Sequence, residues 1–281
     1  MIDAHLHVWE RSRSRYAWLD GAPGRLQTDH SVEQAFAILS PFGVEQAVLV
    51  QADESLEETD YLLELVAAHP GLLGAVVYLP LEAPDAVAQW LPRLVETPGF
   101  VGVRNLTHDR PDPDWILGME QRRSIELLET AGVPLDYVAV LPRHRENLAT
   151  LAREHAGVRF VLDHLGTPPL GMPDGDWSRW QDQLAELGAL PNAVAKVSGI
   201  YRRDIATEPV TSEHLAAVLR TALDVFGADR LLLGSDWPVS TIFSGPLATM
   251  CALTAAVDAL PAQQARALQA ETAARVYGLT P

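Results

Sequence analysis

Cysteine is nearly missing from this 281-residue chain. Cys251 stands alone, so no intrachain disulfide can form and nothing asks for an oxidising compartment. In its Ala- and Leu-rich stretch, Cys251 is expected to be a small buried hydrophobe. Basic residues are also scarce: 21 Lys and Arg face 37 Asp and Glu, a formal net charge of −16. Nucleic acid is therefore not an expected partner, because neutralising phosphates takes clustered cations, and anionic membrane surfaces are disfavoured for the same reason. An anionic small molecule is still allowed, since a few local arginines can dominate a pocket. No apolar window reaches membrane-spanning length, and the start shows no basic region followed by an apolar stretch, so the expectation is a soluble cytoplasmic protein. There is no glycine-rich phosphate loop. Gly21-Ala22-Pro23-Gly24 follows no strand, so neither a nucleotide nor an organic cofactor is expected. Linkers, charge blocks, low-complexity tracts and short repeats are absent too, which leaves one domain over residues 1–281.

What is present is apolar and periodic. Hydrophobic residues make up 48% of the chain, enough for a large core. Short β-branched runs predict strands at Ile2–His7, Gln46–Gln51, Leu72–Leu79, Phe100–Arg104, Val133–Val138, Val158–Asp163, Ala193–Ser198 and Arg230–Asp236. Runs such as Ala47-Val48-Leu49-Val50 lack alternation, as in parallel strands covered on both faces. Helical spacing follows at Leu56–His69, Ser124–Thr130, His144–His155, Trp177–Leu187 and Ser212–Phe226. Ser212 beside Glu213 reads as a helix opening, and Phe226-Gly227 as an exit. Eight strands alternating with helices over roughly 250 residues predict an α/β fold, a (β/α)8 barrel of the TIM type with extra C-terminal helices. A doubly wound open sheet is the competing architecture, and it lacks its phosphate loop.

In such a barrel the chemistry belongs at the C-terminal strand ends and the loops after them, here the Pro/Asp-rich Arg110–Asp114 and Thr167–Asp176. Polar residues break the apolar runs at just those places, where burial without partners would be costly. His5 and His7 end the first run, two residues apart and so on one face, about 7 Å apart along an extended chain. Imidazole is a common ligand for zinc and similar cations, so the pair reads as half a metal site. Gln51, Arg104, Asp136 with Tyr137, Asp163 with His164, Lys196 with Ser198, and Asp236 with Trp237 end later runs.

These fragments, in their order, resemble the amidohydrolase superfamily. Within it the chain is similar to the branch of sugar-lactone and pyrone-dicarboxylate lactonases. The likeness rests on Asp3-Ala4-His5-Leu6-His7-Val8-Trp9, Gly102-Val103-Arg104-Asn105-Leu106 and Leu162-Asp163-His164-Leu165-Gly166. It continues through Lys196-Val197-Ser198-Gly199-Ile200 and Leu233-Gly234-Ser235-Asp236-Trp237-Pro238 to Ala273-Ala274-Arg275-Val276-Tyr277-Gly278-Leu279, with Glu271 about where asparagine is usual. The resemblance implies that His5, His7, His164 and Asp236 face one pocket and act on an ester-like ring. Asp236 is the candidate base that takes a proton from attacking water, and the oxyanion is met by the histidines or a cation. Binuclear members carry a modified lysine on strand four and a histidine on strand five. Here those places hold Arg104 and Asp136-Tyr137, and a guanidinium repels a second cation, so a two-metal centre is not expected. Either one divalent ion, zinc foremost, is held by His5, His7, His164 and Asp236, or the same side chains work without metal.

Arg104 is the candidate anchor for a substrate carboxylate or hydroxyl, with a structural ion pair as its alternative. Lys196 faces the pocket or lies in the barrel wall, polarising a carbonyl or pairing with Asp163 or Asp236. Gln51, Tyr137 and Trp237 are candidate pocket residues, as are Tyr201, Arg202 and Arg203 on the loop after strand seven, although an exposed basic pair is the commoner outcome. Trp9 and Trp18 could close the pocket. His108, with Asp109 and Arg110, is expected to be a solvent-exposed loop histidine, with reach to the substrate as its alternative, and His30, His69, His144, His155 and His214 are assigned no chemistry. The leading function is hydrolysis of a sugar-acid or carboxylated lactone. The alternatives are a metal-dependent decarboxylase or cyclic-amide hydrolase on the same barrel, and a non-catalytic sugar-acid binding barrel. Outer helices rich in Ala and Leu could support a homodimer.

Overall fold

A computed structural model describes residues 1–172, 174–202, 210–243 and 246–280. Arg203 lies outside the described residues. Eight strands appear where apolar runs were expected: β1 Ile2–Leu6, β2 Gln46–Val50, β3 Leu72–Val77, β4 Phe100–Asn105, β5 Leu135–Val138, β6 Phe160–Asp163, β7 Ala193–Val197 and β8 Leu231–Leu233. All neighbouring pairs are parallel, in the order of the chain. The ring is drawn shut where Leu6 bridges Trp237, with Trp237 O accepting from His7 N at 2.8 Å and His5 O from Asp236 N at 2.9 Å.

Some strands are shorter than expected, for local reasons. Pro134 has no N–H to offer a ladder, so β5 starts at Leu135. Val158 N is used in a turn, donating to His155 O at 3.1 Å, and β6 starts at Phe160. β8 stops at Leu233 because Gly234 presses against β1: a Cβ there would lie 2.6 Å from His5 Cβ.

The connecting helices are α1 Val32–Leu39, α2 Leu56–Ala68, α3 Pro84–Val95, α4 Met119–Ala131, α5 Pro142–Glu154, α6 Asp174–Gly188, α7 Ser212–Phe226 and α8 Pro246–Asp258. The C-terminal extras are α9 Ala262–Arg266 and α10 Thr272–Tyr277, joined by the π-helical turn Ala267–Glu271. Three of these, α1, α3 and α8, lie outside the helices expected from periodicity. The first opens on a reciprocal cap between Ser31 and Gln34, and the second carries Pro92 inside it. Thr211, not Ser212, caps α7, its hydroxyl accepting from His214 N at 3.2 Å. Cys251 corrects an expectation: it lies on the exposed side of α8. Among the described residues no helix is long and apolar enough to cross a membrane.

Strand parity sorts the side chains into layers. Leu49, Val77, Val103, Tyr137, Leu162, Val197 and Leu233 join the cluster packed against the helices. Ile2, Ala4, Val48, Val50, Val76, Val161, Val194 and Leu232 fill the lower barrel interior with Val276 and Tyr277 of the C-terminal helix. A register shift between Asp3 and Leu6 resets β1 above this layer. That shift lets His5 and His7 follow Ala4 into the interior while Leu6 packs outward.

Candidate active site

The upper interior is polar and almost sealed. Asp3 prepares it: its buried Oδ1 accepts His5 N at 3.0 Å and Ser235 N at 2.9 Å, tying the end of β1 to the segment after β8. His7 Nδ1 lies 2.8 Å from Val50 O. A carbonyl only accepts, so this nitrogen carries the proton and His7 Nε2 keeps its lone pair. His5 Nε2 is 3.1 Å from His7 Nε2. Asp236 Oδ1 completes the group, 3.7 Å from His5 Nε2, 3.5 Å from His7 Nε2 and 4.0 Å from His164 Nε2.

Unusual backbone delivers two of these side chains. His164 and Asp236 both sit at φ 55°, a left-handed conformation that costs a side-chain-bearing residue roughly 1–2 kcal/mol. Both follow strand ends and turn back over the barrel mouth. Gly199, also at φ 55°, leaves room for the His164 ring, since a Cβ there would fall 2.3 Å from His164 Nδ1. Tyr201 OH donates to Asp236 Oδ2 at 2.6 Å, and its ring stacks on Phe243 at 4.0 Å.

Burial decides the protonation. Desolvation and the nearby Lys196 cation hold His5 well below the usual imidazole range, and burial lowers His7 as well, so both rings are neutral. Burial pushes the Asp236 carboxyl up, but the imidazoles of His164, His7 and His5 outweigh it and hold the group below the ordinary carboxylate range. Two neutral imidazoles and an ionised carboxylate, with donor atoms within 4.8 Å of one another, suit a single divalent cation. His5, Asp163 and His164 form a second, overlapping donor group.

Beneath lies a buried ionic cluster. Arg104 donates to Asp163 Oδ2 at 3.0 Å, to Gln51 O, and to Gln51 Oε1 at 3.3 Å. Lys196, the only lysine in the sequence, is wholly buried and donates to Asp136. Its Nζ is also 3.3 Å from Asp163 Oδ1 and 3.1 Å from His5 Nδ1. Tyr277 OH reaches up from α10 to Asp136 at 2.9 Å. Above the cluster opens a cavity of about 330 Å³. Its polar floor is His7, Arg104, His164, Tyr201 and Asp236, and its walls include Trp9, Trp18, Leu106, Val138, Val140 and Phe243.

A family model of amidohydrolases matches residues 2–279. The chain belongs to the amidohydrolase family. It is 33% identical to an L-fucono-1,5-lactonase of Burkholderia ambifaria, over 86% of this chain and 81% of that one. It is 30% identical to an L-fucono-1,5-lactonase of Burkholderia multivorans, over 99% and 96%. A crystal structure of a Burkholderia multivorans amidohydrolase with bound zinc superimposes with a TM-score of 0.89, at 28% identity over 99% of both chains.

In this amidohydrolase the structure brings His7, His164, Asp236, Arg104 and Tyr201 to one cavity, with His5 fully buried beside it, 3.1 Å from His7. The other candidates lie elsewhere. Gln51 is buried behind Arg104, its Nε2 donating to Arg104 O at 3.3 Å. Tyr137 follows the inward Asp136 by one residue, so parity sends it into the helical layer. Trp237 is buried edge-on to His30, with ring centroids 5.2 Å apart. Arg202 is partly buried, and the described cavity wall does not include it. Trp9 and Trp18 do close one side.

His108 is a correction. It lines the cavity with its side chain 29% exposed, and burial pushes its imidazole down to about 4. Glu54 explains the placement: it accepts from Leu106 N at 2.9 Å and from Arg110 at 2.7 Å, folding the loop after β4 over the mouth. Glu58 likewise accepts from Asp53 N at 2.7 Å and Ala52 N at 3.0 Å to hold the loop after β2. Sequence reasoning missed these two glutamates and Tyr277. An acidic residue one turn into a helix after a strand end was the available signal for Glu58; Tyr277 had no local signal.

Proposed function

We propose that this amidohydrolase opens a sugar-acid 1,5-lactone to the corresponding hydroxy acid. The observation that carries the reading is the Asp236 carboxylate on the cavity floor, bonded to Tyr201 and 3.5 to 4.0 Å from three imidazoles. The named activity of the two Burkholderia relatives supports the ester-ring chemistry.

Water alone is a poor nucleophile at neutral pH, so a base must take its proton as it attacks the ring carbonyl. Asp236 is that base, ionised across the working range and held in line by the Tyr201 hydroxyl. The imidazole of His164, from the end of β6, faces the developing oxyanion. The ring C–O bond then breaks, and the proton held by Asp236 passes to the departing alkoxide. His5, His7 and Asp236 would hold a divalent cation, with His164 beside it. Zinc is our choice because a similar protein is solved with it. When bound, such an ion polarises the carbonyl and lowers the pKa of water. His108 meets a substrate hydroxyl, while Trp9, Val138 and Phe243 cover the apolar face of the sugar ring. Lys196, Gln51, Tyr137 and Trp237 serve the site from behind.

A decarboxylase would want a guanidinium aimed at the departing carboxylate, whereas both terminal nitrogens of Arg104 are already engaged by Asp163 and Gln51. Acid release from a panel of aldono-1,5- and 1,4-lactones, at slightly acid pH where lactones survive, tests the reading in zinc-loaded and chelator-treated protein. Turnover of six-membered lactones is expected. Carbon dioxide from hydroxylated aromatic acids, with no acid release from any lactone, would replace it.

A further inference from the structure

One carboxylate holds both ends of the loop after β4. Glu54 Oε1 accepts from Leu106 N at 2.9 Å, and Glu54 Oε2 from Arg110 Nη2 at 2.7 Å. Between these anchors runs one helical turn, Thr107–Asp109, closed by Asp109 N donating to Leu106 O at 3.1 Å. Its middle is pinned as well, because Thr107 Oγ1 donates to Val138 O at 2.7 Å. Leu106, His108 and Asp109 all line the cavity, whereas the described cavity wall includes neither Glu54 nor Arg110. Glu54 is itself held from behind. Glu58, in the first turn of α2, accepts from Asp53 N and Ala52 N and fixes the loop that carries Glu54. The Arg110 guanidinium also lies 4.2 Å over the Trp115 ring, a contact that keeps it beside the carboxylate. Both charges are partly buried, so solvent ions screen this pair less than one on open surface.

We propose that Glu54 is a positioning residue for substrate recognition: it clamps residues 106–110 so that Leu106, His108 and Asp109 form a preformed wall facing the lactone. The loop after β2 contributes only Ala52 to the cavity directly, yet through one carboxylate it sets three further lining residues. Lifting the segment away breaks the amide contact and the ion pair together, so the two anchors act as a unit. A wall already in place spares binding the entropy cost of ordering a loop around the ligand. That cost belongs to binding and not to the chemical step. The reacting side chains come from other strands: His7 follows β1, His164 follows β6 and Asp236 lies beyond β8. Opening the clamp therefore weakens binding and discrimination among lactones while the rate of ring opening holds. The inference rests on the lactone reading of the site.

The test compares the full-length wild type with Glu54→Ala, which removes both anchors, and with Arg110→Gln and Glu54→Gln, which each leave the Leu106 contact available. On the lactone that wild type turns over best, Glu54→Ala is expected to raise KM roughly tenfold and keep kcat within about twofold. The two milder variants should fall between it and wild type. Selectivity between that lactone and its epimer at one ring hydroxyl should drop in the same order. Adding Arg110→Gln to Glu54→Ala should do no further harm, since the contact is already gone. Amide hydrogen exchange gives a readout that needs no substrate. Peptides spanning 106–110 should exchange roughly tenfold faster in Glu54→Ala, with those of β1 and β6 unchanged. A fall in kcat as large as the rise in KM, additive effects in the double variant, or faster exchange with unchanged KM overturns the recognition role. Unchanged exchange overturns the clamp. If wild type turns over no lactone, the proposed reaction fails and the recognition role with it, while exchange still judges the clamp. Should Glu54→Ala not fold, Arg110→Gln and Glu54→Gln decide by the same readouts.

Discussion

Near the N-terminal ends of the strands the barrel interior holds Ile2, Val48, Val76, Val161, Val194 and Leu232. Further up the barrel, β1, β4, β5, β6 and β7 present His5, Arg104, Asp136, Asp163 and Lys196. Both layers are buried, yet they do opposite work. Each aliphatic side chain taken from water stabilises the fold by about 1.5–3 kcal/mol. Each buried charge instead costs desolvation that its partner only partly returns. The lower layer supplies the stability that the upper layer consumes, and stacking them in one barrel lets the polar groups hold fixed geometry. The rim carries the same division further, with His164 and Asp236 in left-handed backbone just where the chemistry is proposed.

The sharpest way to break this contrast is at the rim. Asp236→Asn should lower lactone turnover by about 10²–10⁴-fold while the melting temperature holds, measured by kcat and thermal unfolding. Retained turnover would remove Asp236 as base. The lower layer should respond in reverse: Leu232→Ala is expected to cost about 2–5 kcal/mol in urea unfolding and leave kcat unchanged. A large drop in kcat there would show that the layers are coupled. Gly199→Ala tests the boundary. The added Cβ meets His164 Nδ1 and adopts an unfavourable φ, so a loss of roughly 1–2 kcal/mol should come with a disproportionate loss of kcat.

A further effect is one of pH. Burial pushes the Glu58 carboxyl up to about 8 from an ordinary 4.5. Between those values the folded protein keeps a proton that the unfolded chain gives up, so stability from this group is present below 4.5 and lost as pH rises through about 8. Glu58→Gln cannot titrate. Its stability should fall less steeply over that window, by up to about 1.4 kcal/mol per pH unit. An unchanged slope would show that Glu58 is ionised in the fold.

The strands were legible because short apolar runs and the polar residues that end them are local signals, while the convergence of His5, His7, His164 and Asp236 was what the family resemblance implied. Gln51, Tyr137 and Trp237 show where that reading stops. Being at a strand end does not say which face a side chain takes, and one step of parity separates Asp136 inside from Tyr137 outside. His108 was misread for a different reason. A loop histidine reads as exposed until a distant carboxylate, Glu54, folds the loop over the mouth.

Order along the chain by itself determined the eight-stranded barrel, its parallel sense and the residue types at its upper end, because spacing and hydrophobicity act between near neighbours. Only the tertiary structure decided that Lys196 lies under His5, that Tyr277 supports Asp136 from the far terminus, and that Tyr201 holds Asp236. Those contacts join residues far apart in sequence. They depend on how the closed barrel aligns its strands, which no local pattern encodes.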